Sequence, residues 1–411
     1  MTFDRCMSSL ALFFPRDLLA LSGLVATLGC GTSGESTRKE PTGALADTSY
    51  GFVGVEPIIE DGSKKGVGVA PNLVERMDEI RGALPMLQEA KVSLAMIIQA
   101  AKLSDPSESD ELFKLVSDAA GRGVQVRPVP VLSADDGYFP NATNVETYVP
   151  VVRRLIAAWQ EHGLAPNTLV VDMEPPRELS EALASLDLKK AVPKDHIDRE
   201  RYAKAVGSYA ALVDELHQAG WKVGVTTQAT LLADYDDGDD DMRQYFNVVL
   251  DEVAWDQVDF QLYRSAFARQ SPMLDSYFVY DFAKKAGAQF AGTPVGVGLG
   301  LTHPGPIFPD TATEDSKALR ADLEAAVAAG VSRELITVYN LKGILLGPPV
   351  CDKVLPCSAA DYAYKPNDPR SWFIDAEGGT APQKSESTTF LWDQFKLMDK
   401  LLDASEGSQS G

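Results

Sequence analysis

Asp172 and Glu174 are separated by one residue in NTLVVDMEPPRE, residues 167–178, where an apolar run of strand type ends in two carboxylates and two prolines. Side chains two apart on a strand leave the same face. Two carboxyls so placed in a partly dry site cannot both ionise freely, so one keeps a proton that it can donate at neutral pH. Such a pair is equipped for general acid/base work. Glu174, nearer the rim and with the longer reach, is the expected proton donor, and Asp172, set deeper, is its orienting partner.

Positioning that pair requires a framework, and from about residue 51 short apolar runs alternate with longer helical patterns. Strands are predicted at 51–57, 92–99, 124–132, 168–174, 222–228, 258–264, 294–301 and 335–341. The helical stretches between them fall at 72–90, 109–123, 145–163, 201–220, 277–287 and 316–330, and four end on Gly just before the next strand, where a helix stops. Strands joined by crossovers of this length run parallel, and near-continuous Val/Ile/Leu runs suit strands covered on both faces. Eight such units in about 300 residues predict an α/β fold, a single (β/α)8 TIM-type barrel. An open doubly wound sheet is the competing arrangement, but no Gly-rich phosphate fingerprint follows the first strand. A last helix at 388–402 would complete the outer ring after an insertion at 345–387.

In a barrel of this type the C-terminal strand ends form the active face. Polar residues gather there: Glu56 on strand one, Gln99 on two, Asp135, Asp136 and Tyr138 after three, and Gln228 on five. Gln261, Tyr263 and Arg264 follow on six, His303 after seven, and Tyr339 and Asn340 on eight. Each alone fits a capped loop end, and their convergence on one rim is what suggests a binding site. His162 and His217 sit near helix ends, where capping accounts for them.

The Asp-x-Glu at the end of strand four resembles the motif of the chitinase-like family 18 glycoside hydrolases, Asp-x-x-Asp-x-Asp-x-Glu. Its last two positions are Asp172 and Glu174; its first two fall on Asn167 and Val170. The family's strand-six tyrosine matches Tyr263, with Gln261 and Arg264 where the family carries Met and Asp, and Tyr339 is the nearest counterpart of its strand-eight tryptophan. The resemblance implies a retaining hydrolysis without an enzyme nucleophile. Glu174 would protonate the glycosidic oxygen while the substrate's own N-acetyl carbonyl attacks the anomeric carbon. Asp172 and Tyr263 would orient and stabilise the cyclic intermediate, and Gln228 or Gln261 would bind sugar hydroxyls. No cofactor is implied. The loop SADDGYFPNATN, residues 133–144, could line the same cleft, because aromatic faces stack on sugar rings, although turn-rich composition alone would look similar. Strand seven, PVGVGLGL, offers no second glutamate, which disfavours a two-carboxylate retaining scheme. Two other readings stay open: a non-catalytic glycan-binding barrel, and a hydrolase in which Asp172 and Glu174 hold a metal.

With 59 acidic and 38 basic residues, the net charge of −21 excludes nucleic-acid binding by phosphate neutralisation and favours a neutral or cationic ligand. Six aspartates crowd ADYDDGDDDMR, residues 233–243. Their spacing is not that of an EF-hand, so a solvated acidic loop is expected, with a metal as the alternative.

At the N-terminus the apolar residues 18–28, preceded by Arg16 and followed by Gly29 and Cys30, resemble a bacterial lipoprotein signal peptide and are too short to span a bilayer. That resemblance implies a signal at 1–29, lipidation at Cys30, a flexible linker at 30–48, a barrel at 49–411 and a membrane-anchored place in the cell envelope. A cytoplasmic chain with an apolar start is the alternative. In an exported chain Cys351 and Cys357 would form a local disulfide or remain two thiols. No Cys/His spacing of zinc type occurs.

Overall fold

The computed structural model describes residues 50–55, 57–58, 75–176, 179–180, 197–236, 238–267, 274–300, 302, 316–346, 349–350, 363–364 and 379–407. The expected signal peptide and linker, Cys30, Glu56, His303, Cys351 and Cys357 lie outside these residues. Among the described residues no helix is long and apolar enough to cross a membrane.

Eight parallel strands form one curled sheet: β1 Tyr50–Val55, β2 Val92–Gln99, β3 Val126–Val131, β4 Thr168–Asp172, β5 Lys222–Gln228, β6 Gln257–Gln261, β7 Val295–Gly300 and β8 Ile336–Tyr339. Their order around the sheet is β3-β2-β1-β8-β7-β6-β5-β4. β3 and β4 lie side by side at the closing seam, where the Asn167 side chain donates to the Val126 carbonyl at 3.2 Å. The chain is therefore a (β/α)8 barrel, as its alternation predicts. The strand expected at 51–57 divides: β1 stops at Val55, and Pro57–Ile58 pairs instead with Glu75–Arg76.

The outer ring comprises α1 Met77–Ala90, α2 Pro106–Gly121, α3 Val145–Glu161, α4 Arg199–Gln218, α5 Ser276–Gln289, α6 Ser316–Ala328 and α7 Glu386–Gly407. Starts are set by local chemistry. Asp105 accepts from the N–H groups of Ser107 and Glu108 with Pro106 at the first position, and Asp198 and Asp275 cap α4 and α5 in the same manner. The stops are as local. Gly123, Gly163, Gly220 and Gly330 all take positive φ, which a residue with a Cβ adopts at a cost.

Strand alternation sorts side chains into two compartments. On β2, Leu94, Met96 and Ile98 are fully buried under the helices, whereas Ala95 and Ile97 face the lumen with Val129 and Val170. The lumen also holds charge. Arg127 on β3 reaches Asp259 on β6 at 3.8 Å, both about 5% exposed, and Gln257 donates to Asp259 at 2.5 Å. Room for this layer comes from β7. A Cβ at Gly296 would run into the Asp259 carboxyl and the Leu335 carbonyl, and one at Gly298 would lie 3.2 Å from the Tyr263 ring.

Candidate active site

β4 ends at Asp172, and the next residues continue along the barrel mouth. The Met173 N–H donates to Thr226 of β5 at 2.8 Å, so Asp172 and Glu174 keep the alternation of the strand and face inward together. Both are buried, at 8% and 6% exposure. One nitrogen ties them: Gln261 Nε2 donates to Asp172 Oδ1 at 3.0 Å and to Glu174 Oε1 at 2.8 Å. Gln228 Nε2 donates to the other Glu174 oxygen at 3.3 Å.

The electrostatics follow from that geometry. Burial pushes the Asp172 carboxyl well above the usual carboxylate range and the charge of Glu174 pushes it further, while the Gln261 amide pulls it back. Burial also raises Glu174, opposed by the amides of Gln261 and Gln228. Both carboxyls are thus raised, and the pair shares its proton affinity. Tyr263 stands beside them: burial and the charges of Asp172, Glu174 and Asp259 all hold its phenol far above the ordinary tyrosine value. Its ring centre lies 6.2 Å from that of Tyr339, which is half-buried at the end of β8.

The other residues singled out from sequence divide into those that join this group and those that do not. Gln228 and Gln261 join it directly. Gln99 ends β2 on the lumen side of the strand and is half-buried. Tyr138, at positive φ, lies edge-on to Phe139 with ring centres 4.8 Å apart. Asp136 is exposed and receives the Ser133 hydroxyl at 2.7 Å, which closes the loop on itself. Arg264 is turned outward, donating to Asp322 at 3.0 Å and to the Leu274 carbonyl at 3.2 Å. Asn340 is buried and braces the end of β8: its N–H donates to Thr302 Oγ1 at 2.9 Å and its side chain accepts from Gly343 at 3.3 Å. Glu56 and His303 fall outside the described residues.

The aspartate-rich stretch is not simply solvated. Asp234 and Asp241 are buried, and Arg243 binds Asp234 and Asp251 while stacking 4.4 Å over the Tyr235 ring. Asp234, Asp241 and Asp399 bring carboxyl oxygens within 4.8 Å of one another. Asp236 and Asp239 remain exposed. Composition alone makes the run look like one solvated loop, because nothing in it shows Arg243 folding back onto the aspartates.

Two features of the site carry no signal in the sequence. One is the Arg127–Asp259 pair below it. The other is Asn141, whose side-chain nitrogen donates to the Glu174 carbonyl at 3.1 Å.

The sequence matches no known family profile and no curated protein. Among solved structures the barrel is similar to the glycoside hydrolase domain of PgaB (BpsB) from Bordetella bronchiseptica, at 11% identity and TM-score 0.44 over 73% of this chain and 96% of that one. A GH18 chitinase from Pseudoalteromonas aurantia shares 12% identity at TM-score 0.41, over 72% and 94% of the two chains. An exo-beta-1,4-mannosidase from Opitutaceae bacterium strain TAV5 shares 12% at TM-score 0.41, and this chain, matched over 72% of its length, spans about half of it, 53%. At these identities the likeness is one of barrel fold.

Proposed function

We propose that this barrel is a glycoside hydrolase acting on a glycan that contains N-acetylated amino sugars, by substrate-assisted acid/base catalysis. The observation that carries the reading is the pair of buried carboxyls, Asp172 and Glu174, held by a single Gln261 nitrogen beside the Tyr263 phenol. In the resting site the two carboxyls share proton affinity. When the substrate's acetamido N–H engages Asp172, the carboxylate there is satisfied, and the proton belongs to Glu174 facing the glycosidic oxygen. Glu174 then donates it to the leaving group, and the acetamido carbonyl closes on the anomeric carbon. Water opens the ring that results, returning its proton to Glu174. Tyr263 and Asp172 steady the acetamido group, and Gln228 and Tyr339 line the adjoining surface.

The proposal extends to place: with residues 1–29 removed and Cys30 lipidated, the barrel would work tethered at the cell envelope. The test is turnover of fluorogenic N-acetylglucosamine oligomers and peptidoglycan fragments by the full chain and by Glu174→Gln. A loss of kcat of about 100-fold or more, with ligand binding retained, is expected. Silence from both folded proteins would favour the second reading, a glycan-binding barrel. That reading has its own support in Gln261, which already satisfies one oxygen of each carboxylate.

A further inference from the structure

Glu174 lies two residues past the end of β4, so the sheet ladder does not hold it. Its backbone is gripped instead by the loop between β3 and α3. The Glu174 N–H donates to the Pro140 carbonyl at 3.3 Å, and its carbonyl accepts from Asn141 Nδ2 at 3.1 Å. Asn141 is only 2% exposed, and its polar groups are all engaged. Its Oδ1 accepts from the N–H of Thr143 at 2.9 Å and from the Thr143 hydroxyl at 2.6 Å. A backbone N–H can only donate, so this contact determines which end of the amide faces Glu174. The Asn141 N–H donates to Asn144 Oδ1 at 2.8 Å, and its carbonyl accepts the Tyr209 hydroxyl of α4 at 3.2 Å.

We infer that Asn141 is a positioning residue for Glu174, its amide fixing where the carboxyl hangs between Gln228 and Gln261. This rests on the reading of Glu174 as the proton donor. The geometry makes the loop that carries Tyr138 and Phe139 part of the mounting of the acid as well as a wall of the mouth. A buried amide with every group engaged has little freedom to re-aim, and a displacement of about 1 Å at a reacting group costs roughly 100-fold in rate.

The test compares Asn141→Ala and Asn141→Ser with Tyr209→Phe in the full chain. Tyr209→Phe loosens the same loop, by removing the phenol bond to the Asn141 carbonyl, without touching the bond to Glu174. Two quantities are read: kcat and KM on fluorogenic N-acetylglucosamine oligomers, and the carboxyl titration of Glu174 in protein carrying 13C-labelled glutamate. The titratable groups facing Glu174, Asp172 from β4 and Tyr263 beyond β6, are present in every variant. Asn141→Ala should lower kcat by about 10- to 100-fold with KM within about 2-fold, and should move the Glu174 titration. Tyr209→Phe should lower stability and leave both readings in place. Equal effects of the two substitutions on Glu174, or none from either, would overturn the inference. If Asn141→Ala does not fold, Asn141→Ser is read against the same criteria. Should the native chain turn over nothing, the hydrolase reading fails by itself, and the titration alone decides: moved by the Asn141 variants only, it upholds the positioning role, and unmoved, it rejects it.

Discussion

Gln261 donates from one nitrogen to two carboxylates and so favours their charged forms. Gln261→Met removes both contacts and leaves the burial. Both carboxyls then hold their protons more tightly, and the optimum of kcat/KM should move to higher pH. A pH–rate profile that stays where it was would mean that the amide does not tune the pair. Gly298 acts on the same group from below: Gly298→Ala places a methyl 3.2 Å from the Tyr263 ring, so the ring beside the carboxyls must shift by a few tenths of an ångström. A loss of kcat of about 10-fold is expected, with a fold that circular dichroism finds unchanged. At this scale the sequence is readable where a residue sits on a regular strand. Alternation alone puts Asp172 and Glu174 on one face. It misleads at Arg264, because β6 ends at Gln261 and Arg264 begins a short helix, Arg264–Phe267, which aims its side chain outward at Asp322. Asn141 is illegible for a different reason: it acts on a carbonyl 33 residues away, and nothing local marks that contact.

Among the elements, β7 is where composition and space are most tightly linked. Its positions 296 and 298 are glycines because Asp259 and Tyr263 occupy the volume their side chains would fill. Gly296→Ala would meet a carboxyl and a backbone carbonyl, and the carbonyl cannot swing aside. A loss of about 3 kcal/mol or more in urea-induced unfolding is expected. The charge layer beneath the site also has a pH signature. Burial, partly offset by Arg127 and Gln257, pushes the Asp259 carboxyl up to about 6. The folded chain thus binds that proton more tightly than the unfolded one, and stability from this group falls as pH rises from about 4 through about 6. The stability lost across that window is about 3 kcal/mol. Replacing both partners, Arg127→Met with Asp259→Leu, should abolish this dependence and leave stability at pH 7 equal or higher, since a buried pair seldom outweighs its desolvation. Denaturation curves at pH 4 and pH 7 check both statements. The strands themselves are legible nearly to the residue at β2 and β5, where apolar runs end in a polar residue at the rim. β1 is shorter than its apolar pattern predicts, because Pro57 continues the pattern while it pairs outside the barrel.

Taken whole, the molecule carries a net charge of −21, and self-repulsion of that size weakens a compact state. Raising salt from about 0.01 M to about 0.15 M shortens the screening length from about 30 Å to about 8 Å. The melting temperature should rise by about 2–4 °C over that range. A flat or falling response in a salt titration would show the surface charges to be locally compensated, as Arg243 compensates Asp234 and Asp251. The eight-strand count and its order follow from alternation along the whole chain, which is why the barrel can be read without any motif.

The closing seam between β3 and β4 has a consequence in time. Unrolled, the sheet starts at β3 and finishes at β4, so these neighbours are its two ends. As the chain leaves the ribosome, β1 to β3 can pair among themselves, and β4 to β8 can zip in order as they emerge. The two parts meet at the seam through contacts such as Asn167 to Val126, but their strand ladders join only through β1 and β8, which waits for residues near 336–339 to be made. Glu174 belongs to one part and its mounting at Pro140 and Asn141 to the other. A nascent chain therefore holds both carboxyls, and the loop that grips Glu174, well before the ladder that closes the barrel around them can form.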